Sequence, residues 1–76
     1  MTGEAMTYRV TIRREVFRGR DSFVARDTAG EWRAHGVAIN SPMTPRQLAE
    51  YLFRPEEVAA VSVDADGGIV VDVFAS

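Results

Sequence analysis

Nine basic residues occur in this chain, and every one is arginine. Five of them, Arg9, Arg13, Arg14, Arg18 and Arg20, crowd into the segment 9–20. A guanidinium is planar, permanently charged and forked, so it suits carboxylates and phosphates. The chemistry such a group offers is anion recognition, by an acidic protein or by nucleic acid. Glu15 and Asp21 dilute the run, and the sequence pI of about 5.2 opposes a nucleic-acid surface. Charge runs most often serve solvation. Read as a site, the five arginines are partner-binding residues for another protein, with a nucleic-acid-binding module as the alternative.

The remaining titratable groups offer less. His35 is the only histidine, and no Ser or Asp arrangement around it forms a nucleophile motif, so a strand-surface or edge role fits better than a general base. Asp64-Ala65-Asp66-Gly67 resembles the start of a calcium loop. The twelfth position of such a loop needs a bidentate glutamate and here holds Ala75; Asp and Gly serve a turn instead. Glu56 and Glu57 are neighbours, and adjacent helical residues diverge, so favourable charge at a helix start suits them better than acid–base catalysis. The chain has no cysteine. Gly67-Gly68 is too short for a phosphate loop and precedes a strand. The reading is a non-enzyme without cofactor or metal.

The elements that must position these residues follow from periodicity. Tyr8, Val10 and Ile12 alternate with Arg9, Thr11 and Arg13, the pattern of a half-buried strand that Val16 and Phe17 extend. Arg18-Gly19-Arg20-Asp21 reads as a turn. A second strand starts at Ser22, and Asp27-Thr28-Ala29-Gly30 is a type I turn. Arg26 opposite Glu31 and Ala25 opposite Trp32 pair opposite charges and gather apolar groups, whereas Asp27 opposite Glu31 sets like against like. The third strand spans 31–39, with a bulge at Gly36 where the apolar phase shifts. Thr44, Pro45 and Gln47 form a capping box with proline at the first helical position, and Leu48, Tyr51 and Leu52 make one apolar face. Pro55 ends this helix. Val61, Val63 and Ala65 then face Val73, Val71 and Ile69 across a three-residue Asp66-Gly67-Gly68 loop.

The expected fold is α+β: a single antiparallel sheet of four or five strands in the order β-β-β-α-β-β, one helix packed on one face. The expected core is Tyr8, Val10, Ile12, Phe23, Ala25, Trp32, Leu48, Leu52, Val61, Val63, Val71 and Val73. Residues 1–5 read as a flexible N-terminus and 6–76 as the one domain that 76 residues allow. No leader or membrane-spanning run is evident, which points to the cytoplasm. The charge is polarised: residues 1–46 carry a net +3 and 47–76 a net −5. Val70, Asp72 and Phe74 fall on the solvent face of the last strand. If that strand is a sheet edge, it offers a homodimer interface.

The opening MTYRVTIRRE and the later SFVARD, followed by a helix starting at a Thr, resemble the N-terminal domain of HicB-type antitoxins over residues 6–65. The Pro-Gly segment that family commonly carries after its second strand is replaced by Asp27-Thr28-Ala29-Gly30, and no room is seen for a separate DNA-binding domain. No functional residue is carried over. The resemblance implies a non-catalytic, protein-binding regulator or small accessory factor.

Overall fold

A computed structural model of the chain describes residues 6–75; the segment 1–5 and Ser76 lie outside them. The strands are β1 (Thr7–Phe17), β2 (Arg20–Asp27), β3 (Trp32–Val37), β4 (Val58–Val63) and β5 (Ile69–Phe74), with helix α1 (Pro45–Leu52) between β3 and β4. They form one antiparallel sheet in the order β3-β2-β1-β5-β4. The α+β reading with a single sheet and one helix holds. No helix among the described residues is long and apolar enough to cross a membrane.

Alternation along β1 sets the two faces. Val10 lies opposite Val71 and Ile12 opposite Ile69 and Ala25, which puts these residues under the helix. Val10, Ile12, Ala25, Ala49, Phe53, Val58, Val71 and Val73 are buried there, with Tyr8, Phe23, Leu48, Leu52 and Val61 packed against them. The helix starts as its sequence demands: Gln47 N–H donates to Thr44 Oγ1 at 3.1 Å, and Thr44 N–H donates to Gln47 Oε1 at 2.9 Å. Chain direction is carried into β4 by a 3₁₀ turn, Pro55–Glu57, where the Glu57 carboxylate accepts from Arg54 N–H.

The hairpin registers differ from those the side-chain pattern favoured, for one shared reason. Asp27 Oδ1 accepts from the N–H groups of Ala29 and Glu31, and Asp64 Oδ1 accepts from those of Asp66 and Gly68. In each turn a glycine, Gly30 or Gly67, takes the left-handed conformation at φ +83 or +84. This is the three-residue loop with a left-handed closing residue. Asp27 therefore sits opposite Glu31 after all: its N–H donates to the Glu31 carbonyl at 2.9 Å, while its carboxylate is occupied by the turn's own N–H groups. Trp32 pairs with Arg26, and a bulge then sets Ala25 opposite Ala34. The irregularity thus lies near Arg33, not at Gly36. Gly36 pairs regularly with Phe23, and a Cβ there would meet the Tyr51 ring at 2.9 Å, so the glycine admits the helix. In the C-terminal hairpin Val63 faces Ile69 and Val61 faces Val71. The loop is Ala65-Asp66-Gly67, a two-step slip that keeps the same apolar face.

Three expected features are corrected. Trp32 is not in the core: it lies on the face away from the helix, 43% exposed. Val63, also expected in the core, is 55% exposed on β4. The last strand is no sheet edge, since β5 is hydrogen-bonded to β1 on one side and β4 on the other. Edge pairing through it is ruled out, and Val70, Asp72 and Phe74 project from the sheet's open face, opposite Thr11, Arg9 and Thr7. The edges are β3 and β4.

Candidate functional site

The helix covers one sheet face, and no element among the described residues covers the other. On that open face Arg9 and Arg13 rise from β1, as expected, but neither is free. Arg9 donates to both carboxylate oxygens of Asp72, at 2.9 and 3.2 Å. Arg13 donates to Asp64 at 2.9 Å. Arg14 faces the helix side, and its partner is Asp21. Arg26 closes a fourth pair with Glu15 at 2.7 and 3.1 Å. Hydrogen bonds from Arg9, Arg14 and Arg26 hold the carboxyls of Asp72, Asp21 and Glu15 below the usual carboxylate range. The five arginines named from the sequence are thus dispersed over both faces. Only Arg18 and Arg20 among them lack a carboxylate partner among the described residues.

Those two sit at the tip of the β1–β2 hairpin. Phe17 pairs with Arg20, leaving Arg18-Gly19 as a two-residue turn with φ +53 and +77. These angles match a type I′ turn, where asparagine is the usual first residue. An arginine there costs on the order of 1 kcal/mol of backbone strain. The guanidinium of Arg18 stands over the Phe17 ring at 5.1 Å and the Trp32 ring at 5.3 Å. Cation–π contact at two rings offsets part of that strain.

Phe17, Trp32 and His35 form one ring cluster. Phe17 meets Trp32 edge-on at 5.8 Å and lies tilted against His35 at 4.8 Å; Trp32 meets His35 edge-on at 5.1 Å. The β2 residue Val24, directly opposite His35, is fully buried although it points away from the helix. Arg26 lies opposite Thr11 while its guanidinium reaches Glu15, so its stem runs along the row that Val24 occupies. Rings and stem give the open face a small apolar centre of its own. Beside it, Phe17, Arg18, Arg20, Ser22, His35 and Val37 line a recess of about 280 Å³. The buried Ser22 hydroxyl donates to the Arg20 carbonyl at 2.9 Å. His35 is exposed on edge strand β3, as expected.

Family models, curated proteins and solved structures yield no match to this chain.

The site therefore rests on its own geometry. The described residues bring no group of three or more His, Asp or Glu side chains close enough to hold a metal ion. What the recess offers is one guanidinium braced on two rings, a second arginine and a histidine. That set suits holding an anionic group next to an apolar or planar one. Sequence reading found Arg18, Arg20 and His35 but assigned Trp32 to the core and overlooked Phe17 and Val24. The missed signal is Asp27-Thr28-Ala29-Gly30 itself. Placing Gly30 at the left-handed position fixes the loop, sets Trp32 opposite Arg26, and so moves the ring to the face of Phe17.

Proposed function

We propose that this chain is a non-catalytic protein-binding module, a cytoplasmic regulator or accessory factor of the kind the antitoxin resemblance implies. Its contact site is the Phe17–Arg18–Trp32–His35 end of the open face. The observation that carries this reading is Arg18: strained, without a carboxylate partner among the described residues, and held over two rings. Tryptophan and arginine are the residue types that dominate protein interfaces. A braced guanidinium gives a bidentate carboxylate contact at little entropic cost. The partner surface that fits is an acidic side chain beside an apolar one.

Nucleic acid is the second reading, favoured by exposed Trp32 beside free arginines. Magnitude argues against it. With Arg9, Arg13 and Arg26 held by Asp72, Asp64 and Glu15, about two phosphates could be neutralised, and the expected log–log salt slope for a single strand is only about −1.4.

The test compares wild type with Arg18→Ala/Trp32→Ala, both checked for native circular dichroism. Each is tagged, purified from the native host, and its co-eluting proteins are identified. The expected result is a defined protein retained by wild type and lost from the variant. A partner retained equally by both refutes the site. Tight oligonucleotide binding with a slope steeper than about −3 would replace this reading with the nucleic-acid one.

A further inference from the structure

The backbone of the two sheet edges is treated differently. In β3 the ladder bond from Ala38 N–H to the Asp21 carbonyl, at 3.0 Å, fixes which residues face β2. Ala34 and Gly36 share that direction, and His35 and Val37 turn outward. The outward carbonyl of Val37 is taken by the Tyr51 hydroxyl at 2.9 Å, and the bulge at Arg33 limits the regular edge to Ala34–Val37. This edge is blunted.

In β4 the bond from Asp64 N–H to the Gly68 carbonyl, at 2.9 Å, fixes the same alternation. Ser62 and Ala60 face β5, and Val61 and Val63 turn their N–H and C=O groups outward. No hydrogen bond to those groups occurs among the described residues. Val58-Ala59-Ala60-Val61-Ser62-Val63 carries no charge and no proline, two of the devices that usually protect an edge; its one irregularity, between Val58 and Ala60, leaves a regular ladder from Ala60 to Val63. Val63 adds an apolar side chain, more than half exposed, on the helix-covered face.

We infer that the β4 edge is a self-pairing site, and that its occupant is β4 of a second copy of this chain. Antiparallel pairing about a two-fold axis at Ser62 places Val61 of one copy opposite Val63 of the other. The outward groups of both residues then bond in pairs, and each exposed Val63 is covered by the other copy's Val61. Ser62 meets Ser62, and Ala60 meets Asp64, so no like charges face each other. The strand is thus complementary to itself, which a two-fold interface requires. The contact is short beside the ~1,200–2,000 Å² of a stable interface, so the dimer is weak, and the test is set for a dissociation constant of about 100 µM.

Amide hydrogen exchange on the intact chain tests this. With that constant, about a fifth of the chains stay monomeric at about 1 mM, against about three quarters at about 20 µM. Exchange at Val61 and Val63 should therefore slow about fourfold between the two concentrations, while His35 and Val37 do not change. Identical rates at both concentrations overturn the inference, as does a dimer in sedimentation that leaves Val61 and Val63 unprotected. Val61→Pro removes an N–H that its own sheet does not use, and should abolish the concentration dependence while circular dichroism stays native. If that variant does not fold, Ser62→Lys, which sets like charges on the axis, takes its place. Slowing that persists in the folded variant refutes the pairing.

Discussion

Replacing Gly36 with alanine sets two effects of opposite sign against each other. In a strand, glycine is worse than alanine by roughly 0.5–1 kcal/mol, because the unfolded chain has more freedom to lose. Gly36 lies in a regular ladder position opposite Phe23, so on backbone grounds alone the change stabilises. The new Cβ, however, would stand 2.9 Å from Tyr51 Cε2 and 3.1 Å from Leu52 Cδ2. Tyr51 is partly exposed and can swing aside. Doing so breaks its hydroxyl bond to the Val37 carbonyl and its edge-on contact with Phe23 at 6.4 Å. The hydrogen bond contributes about 1 kcal/mol and the aromatic pair about 0.5–1.5 kcal/mol. Overpacking of this kind costs about 1–3 kcal/mol. The net expectation is a loss of about 1–2 kcal/mol. Urea unfolding measures it: with a slope near 1 kcal/mol/M, the midpoint should fall by about 1–2 M at constant slope. In a Tyr51→Ala background only the Leu52 contact at 3.1 Å remains, and Gly36→Ala should cost less than in the wild-type chain; the difference is the coupling energy. A raised midpoint in the otherwise wild-type chain would refute the close-approach argument.

Three further outcomes are expected. Val24→Ala should lower stability by about 2 kcal/mol in urea unfolding, since the side chain is fully buried; a negligible change would mean that the ring cluster does not seal the open face. Thr44→Ala should cost about 1 kcal/mol, because it breaks the capping box, and thermal unfolding should show a drop of about 4–8 °C. Acid should weaken the fold. The carboxyls of Glu15, Asp21 and Asp72 are lowered in the folded state by hydrogen bonds from Arg26, Arg14 and Arg9. Their contribution is therefore present above about pH 4 and lost as pH falls through the folded values. These pairs are exposed, so the effect is modest and shrinks in salt. A melting temperature unchanged between pH 6 and pH 3 would contradict it.

The element order and the helix start were legible because each rests on a local signal. Thr44, Pro45 and Gln47 specify a helix start within one turn of chain, and Tyr8, Val10 and Ile12 specify a half-buried strand without reference to any neighbour. Registers were harder. Opposing Arg26 to Glu31 satisfies a pairwise charge rule, but the Asp27 carboxylate is spoken for by backbone N–H groups inside its own turn. That removes the like-charge conflict on which the choice depended. The same error moved Trp32 to the wrong face and hid the ring cluster. Gly36 misled for another reason: its small size serves a helix fifteen or so residues later in the chain, a contact that only the folded arrangement makes visible. The open-face arginines were found by composition, yet which of them stay free depends on Asp64, Asp72 and Glu15 coming across from other elements.

The central strand β1 and its neighbour β5 come from opposite ends of the described chain, and Ala75 N–H still donates to the Met6 carbonyl at 2.8 Å beyond their ladder. During synthesis β1, β2 and β3 emerge first, as a meander whose apolar face has only half its neighbours. Helix α1 packs chiefly against β4, and β4 has no partner within the sheet except β5. Until residues through Phe74 have left the ribosome, Val10 and Ile12 lack Val71 and Ile69 beside them. The loop closed at that step spans almost the whole domain, so its entropic cost falls in one late event. Closure of the core therefore waits for β5, whenever it becomes available, and until then β4 has no partner in the sheet.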